Sequence, residues 1–245
     1  MGRARKRHVQ QPLPFRKRGG KRTGAGRPKK GARASERHKK RPSLKARFPV
    51  HGILRVEKDV GSLRQPHAYH AIRGALEVVK GRADFRVVEM SIQRYHVHLV
   101  VEAANAMALA RGMQSLQISA ARKLNAAISE HRGRERTGRV FVDRYHARIL
   151  RTPRDVRHVL NYVLNNWRHH GEDKGFESVN WDVDWFSSAP RFAGWKEPSP
   201  TMSSKYHPLG TCGAETWLLR IGWLRAGPPI SMYAVPGRDC YEGAA

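Results

Sequence analysis

The sequence predicts an α+β fold. It reads as a ferredoxin-like sandwich, a β-α-β-β-α-β core with two helices on one face of an antiparallel sheet and one further helix at its C-terminal end. Three observations predict it. Between residues 47 and 170, short runs alternating at period two take turns with stripes at helical period. Two of the extended runs are nearly contiguous, so a hairpin is the simplest connection between them. The last periodic stretch has its own start signal, Thr152-Pro153-Arg154-Asp155.

The elements follow in chain order. Phe48, Val50, Gly52, Leu54 and Val56 alternate with Pro49, His51, Ile53 and Arg55, which describes a strand with two usable faces. A helix over about 64–80 gathers Tyr69, Ile72, Leu76 and Val79 on one side. Phe85–Gln93 and Tyr95–Glu102 form the hairpin. A long helix over about 105–130 carries Leu109, Met113, Leu116, Ala120, Leu124 and Ala127 as its stripe, until the Gly- and Arg-rich turn 131–138 stops it. Arg139–Leu150 alternates again and predicts the fourth strand, with a break near Asp143. The final helix begins after Thr152, whose hydroxyl caps it, and buries Val156, Val159, Leu160, Val163 and Leu164.

Composition divides the chain in three. The 245 residues hold 47 Lys+Arg against 20 Asp+Glu, a formal charge of +27. Residues 1–47 supply 19 of those bases and a single acid, Glu36. Residues 1–46 therefore read as a disordered basic arm, whose natural ligand is a polyanion because binding releases condensed counterions. Within it, Gly26-Arg27-Pro28-Lys29-Lys30 resembles half of an AT-hook, with Ala25 where that motif usually has Arg. Residues 47–196 form the folded domain. Residues 197–245 read as an irregular extension, although five of the six tryptophans lie between Trp181 and Trp223 and the aromatic stretch 176–196 is expected to pack back on the core. Two cysteines exclude a disulfide framework, and no apolar run reaches the ~18 residues of a membrane span. The expected location is cytoplasmic and nucleoid-associated, with no membrane partner.

The chemistry concentrates in two places. In Tyr95-His96-Val97-His98-Leu99, a strand puts His96 and His98 on one face ~7 Å apart, where two neutral imidazoles can converge on one divalent ion. The alternative is a pair of surface or hydrogen-bonded histidines. On the last helix Tyr162 and Asn166 lie one turn apart, off the buried stripe, with His158 a turn earlier. A tyrosine oxygen beside a polarised phosphate is a candidate nucleophile. An interfacial aromatic with a wet hydroxyl is the alternative reading.

His96-Val97-His98 resembles the HUH motif, in which U is any hydrophobic residue, and Tyr162-Val163-Leu164-Asn165-Asn166 looks like the tyrosine helix of single-tyrosine HUH transposases. Among these the likeness is greatest to REP-associated tyrosine transposases. Their helix continues to Pro where this chain has Trp167, followed here by Arg168-His169-His170-Gly171. Asp143-Arg144-Tyr145-His146, Leu150-Arg151-Thr152 and Ser187-Ser188 are similar to further family segments, so the resemblance spans about 47–190. It implies an HUH endonuclease fold and a metal-dependent single-stranded DNA endonuclease and strand transferase. Tyr162 would be the nucleophile that forms a 5′-phosphotyrosine intermediate on hairpin-flanked DNA. It also implies His96, His98 and Asn166 as ligands of Mg²⁺ or Mn²⁺, and Mn²⁺ should bind more tightly to two imidazoles.

For the DNA itself, Arg94, Arg144, Arg148, Arg151 and Arg168 are candidate phosphate contacts, and Tyr95, Tyr145, Trp167 and Trp185 candidate stacking platforms. His51 joins them if strand register turns it to the side of His96 and His98. The competing classes are a non-catalytic nucleic-acid-binding module on a similar scaffold and a basic structural protein of ribosome or nucleoid. Monomer and homodimer are both compatible with the sequence.

Overall fold

A computed structural model describes residues 42–176, 178–202 and 206–237. The basic arm up to residue 41, with its AT-hook-like stretch, lies outside the described residues. The core runs β1 (Val50–Arg55), α1 (Pro66–Lys80), β2 (Phe85–Ile92), β3 (His96–Ala103), α2 (Ala106–Arg132), β4 (His146–Ile149) and α3 (Pro153–His169). The strands form one sheet in the order β2-β3-β1-β4, every pair antiparallel. This is the order that β-α-β-β-α-β connectivity produces when both crossover helices lie on the same side.

Alternation along β3 decides what each face carries. Val97, Leu99 and Val101 join Val50 and Leu54 of β1 in the core beneath α1 and α2. His96, His98 and Val100 therefore face the other way, and Val100 packs in a second core with Val156, Val159, Leu160, Val163 and Leu164 of α3. Gly112 is where α2 closes on the sheet: a β-carbon there would lie 2.2 Å from the Phe85 ring of β2. Asn105 starts α2 by accepting from the amides of Met107 and Ala108, each at 3.0 Å, and Gly133 at φ 63° ends it. At α3, the Thr152 side chain accepts from the Asp155 amide while Asp155 reaches back to the Thr152 amide, with Pro153 in the first turn.

The fourth strand is broken near Asp143, as its sequence predicts, and only its second part pairs as a full strand. Phe141 makes an isolated bridge to Val56, and the Val142 amide donates to the Arg55 carbonyl at 3.0 Å. The chain then bends through 142–144, Tyr145 turns into the core under α1 and α2, and pairing resumes only at His146. Burying one large aromatic outweighs continuing a ladder at the sheet edge.

Residues 178–202 and 206–237 clothe α3 and the β2 edge. Ser187 bridges Ser91 of β2. The Ser188 hydroxyl accepts from the Met90 amide, and the Met90 carbonyl accepts from the Ser188 amide at 2.8 Å. Arg64 grips this segment with two donations to Asp184, at 3.0 and 2.9 Å, and one to the Ile92 carbonyl. Further on, Trp195, Leu218, Leu219, Trp223, Ile230 and Met232 complete the α3 core. A single turn, α4 (Trp217–Arg220), starts where Glu102 accepts from the amides of Glu215 and Thr216. No helix of the described residues is long and apolar enough to cross a membrane.

Candidate active site

Register brings three histidines to the α3 face. His96 and His98 sit opposite Arg55 and Ile53 of β1. His51 sits opposite Val100, so His98 is its diagonal neighbour, within reach of a long side chain. The two meet, His51 Nε2 lying 3.1 Å from His98 Nδ1. His96 packs edge-on against His98 with 4.7 Å between ring centres.

α3 lays its polar side over these rings. The Tyr162 ring meets His98 at 5.1 Å, nearly perpendicular, and His51 at 6.4 Å. One turn on, Asn166 is fully buried, and neither its amide oxygen nor its amide nitrogen has a hydrogen-bond partner among the described residues. His98 Nε2 shares that condition. Asn165, beside it in sequence, is differently employed: it donates to Asn161 at 2.9 Å and to the Ser231 carbonyl at 3.0 Å. At the helix end His170 approaches His96 to 5.5 Å, and His169, its Nδ1 3.2 Å from the Pro236 carbonyl, lies 6.4 Å from the Tyr162 ring.

Burial sets the charge state of the imidazoles. It pushes His51 down from 6.5 to about 3, aided by the Arg148 guanidinium, and His96 to about 4, aided by His170 and Arg55. His98 is held well below the ordinary value by burial first, then by His51, His96, His170 and Arg55. At neutral pH all three are uncharged, which is the form that ligates a metal. No group of three His, Cys, Asp or Glu side chains is gathered as a metal cage among the described residues. The groups that could hold an ion are of mixed type: the two imidazoles of β3 and the unpartnered Asn166 amide of α3. Buried polar atoms without partners require an explanation, and a ligand supplies one.

The remaining candidates separate by exposure. Arg94, Arg144, Arg148 and Arg151 reach solvent, Arg94 beside Glu172 at 3.5 Å and Arg148 paired with Asp155 at 2.9 Å. Arg168 is turned inward. It donates to the carbonyls of Met232 and Asp182 and lies over the Trp167 ring, so its charge holds the C-terminal segment rather than a phosphate. Trp167 is fully buried and offers no face to a base. Tyr145 is in the core beneath α1 and α2, remote from the histidine face. His51 is 2 % exposed and engaged with His98, which makes it part of the site's interior rather than a DNA contact. Sequence reasoning missed His169 and His170. Their spacing of seven and eight residues from Tyr162, at the last residue of α3 and its C-cap, was the available signal.

Residues 46–166 match the family model described as "Transposase IS200 like". That segment belongs to the family. The matched region of this transposase runs from just before β1 through Asn166, and so contains the histidine pair and the tyrosine helix. No curated protein matches it in sequence. Among solved structures, one described as a REP-associated tyrosine transposase bound to a REP hairpin covers 73 % of this chain and 93 % of its own, at 16 % identity and a TM-score of 0.49.

Proposed function

We propose that this transposase cleaves and rejoins single-stranded DNA through Tyr162, with a divalent cation, Mg²⁺ or Mn²⁺, held by His96, His98 and Asn166. The observation that carries the reading is the meeting of the Tyr162 ring with His98 at 5.1 Å beside a buried, unpartnered Asn166. The cation, when bound, supplies positive charge to the scissile phosphate and the leaving oxygen. Tyr162 supplies the attacking oxygen: its bond to phosphorus forms as the bond from phosphorus to the 3′-oxygen breaks. The phenol proton is released, and the departing 3′-oxygen takes one up. The protein is left with a 5′-phosphotyrosine, and a 3′-hydroxyl reverses the same exchange to join strands. Because nucleophile and third donor share α3, seating that helix on the sheet sets both in one movement.

Tyr162 and the histidine pair meet within one chain, which supports a site complete in the monomer. DNA would be the partner, with exposed Arg94, Arg144, Arg148 and Arg151 placed to take backbone phosphates. The hairpin-flanked form of the substrate rests on the motif resemblance alone. Incubating the protein with Mn²⁺ and a hairpin-flanked oligonucleotide should give a covalent adduct that survives denaturation. Tyr162→Phe should abolish it, and an undiminished adduct would discredit the assigned nucleophile. His96→Ala and His98→Ala should lose cleavage while keeping salt-sensitive DNA binding. Cleavage that persists in chelator would refute the metal role, and binding without metal-dependent nicking would favour a non-catalytic module.

A further inference from the structure

A histidine that serves as a ligand must present a lone pair, and on a neutral imidazole only one of the two nitrogens has it. His98 therefore poses a question that its own strand does not answer: what keeps the proton off Nε2? The contact with His51 bears on it directly. The facing nitrogens are 3.1 Å apart, the ring centres 5.3 Å apart, and the planes differ by 10°. With nitrogens so close and centres so far, the rings lie edge to edge and nearly coplanar. That is the straight in-plane geometry of an N–H···N hydrogen bond, not a face-to-face stack.

Such a bond holds one proton, and its position has opposite consequences. Placed on His51 Nε2, it makes His98 Nδ1 the acceptor, so the neutral His98 ring carries its own proton on Nε2. That N–H would then point into a buried spot where no acceptor is found among the described residues. Placed on His98 Nδ1, it makes His51 the acceptor and leaves the lone pair on His98 Nε2, on the ring that meets Tyr162, one helical turn from the equally unpartnered Asn166 amide. Only the second arrangement gives both orphaned groups one common use.

We infer that His51 is a positioning residue: its Nε2 accepts the Nδ1–H of His98, which locks the tautomer and rotation of that ring so that Nε2 is offered to a divalent cation. This rests on the reading that His96, His98 and Asn166 hold the cation. It gives the β1 strand a part in the site that neither the histidine pair nor the tyrosine helix reveals. Hydrogen-bonded partners of metal-binding histidines commonly have this effect, and their loss typically weakens metal affinity 10–100-fold.

The test uses the full chain and Mn²⁺ alone as probe, without DNA. Calorimetric titration should show His51→Leu, which fills the space but accepts nothing, binding Mn²⁺ roughly 10–100-fold more weakly than wild type. His51→Gln, whose side-chain carbonyl can accept from His98, should restore most of that loss. Long-range ¹⁵N correlation spectra of the metal-free protein should show His98 with its proton on Nδ1 in wild type and His51→Gln, and not in His51→Leu. Electron–nuclear double resonance of the Mn²⁺ complex should count two coordinated imidazoles. Equal Mn²⁺ affinity in His51→Leu, an Nε2–H tautomer at His98, or a third coordinated imidazole would each overturn the assignment. A wild-type chain that binds no Mn²⁺ refutes the cation reading instead, and the tautomer measurement still decides whether His51 accepts from His98.

Discussion

Neutral histidines packed beneath a helix make the fold sensitive to acid. His51 titrates at about 3 when folded and near 6.5 when exposed, with burial as the main cause and Arg148 adding to it. Between those values the unfolded chain binds a proton that the folded chain refuses, so stability falls as pH falls through this window. At pH 5 the cost from His51 is about 2 kcal/mol, and His96 and His98 act in the same direction. Thermal melts should therefore lose stability from pH 7 to pH 5, and His51→Gln should lose less. A melting temperature constant over that range would show that the imidazoles are charged or solvated in the fold. The residues legible in the sequence were those whose position follows from local period: His96 and His98 two apart on a strand, Tyr162 and Asn166 four apart on a helix. His51 was a conditional reading because its neighbour on β3 depends on register, which only the assembled sheet defines. Trp167, Tyr145 and Arg168 were misread as surface groups for a related reason. Each is buried or claimed by segments distant in the chain, Trp167 and Arg168 by 181–233 and Tyr145 by the core under α1 and α2.

At the scale of elements, the helices were read closely because their stripes and ends are local: the Gly- and Arg-rich turn after α2, and the Thr152–Asp155 box before α3. The break in the fourth strand near Asp143 was legible, but not its cause, because alternation alone does not show that Tyr145 leaves the sheet for the core. Packing between elements is equally invisible to period, and Gly112 is the clearest case. It reads as an interruption of a helical stripe, yet it is the point at which α2 rests on Phe85. A methyl group there would overlap the ring at 2.2 Å, and Phe85 is fully enclosed with little freedom to retreat. Gly112→Ala should therefore destabilise the fold by about 1–3 kcal/mol, the usual cost of overpacking, despite the better helix propensity of Ala. Denaturant titration checks this. A variant at least as stable as wild type would mean that α2 can shift away from the sheet without loss.

The whole molecule separates chemistry from charge. Every residue assigned to the site lies between β1 and the end of α3, and the segments beyond it brace that unit through Arg64–Asp184 and the Glu102 carboxylate. Those braces escaped the sequence because each joins groups far apart in the chain and leaves no period. Most of the net charge lies elsewhere: residues 1–41 carry 17 Lys+Arg and one acid, which is +16 of the chain's +27. Counterion release makes the affinity of such a segment fall steeply with salt, with a slope of roughly 0.7 per phosphate on single strands and 0.9 on duplex. Removing residues 1–41 should therefore weaken DNA binding and flatten its dependence on salt, with the change in slope counting the phosphates that the arm neutralises. Adduct formation by Tyr162 at low salt and saturating DNA should persist, because no assigned site residue is lost. An unchanged salt slope would remove the arm from DNA binding, whereas loss of the adduct under saturating conditions would tie it to the catalytic unit itself.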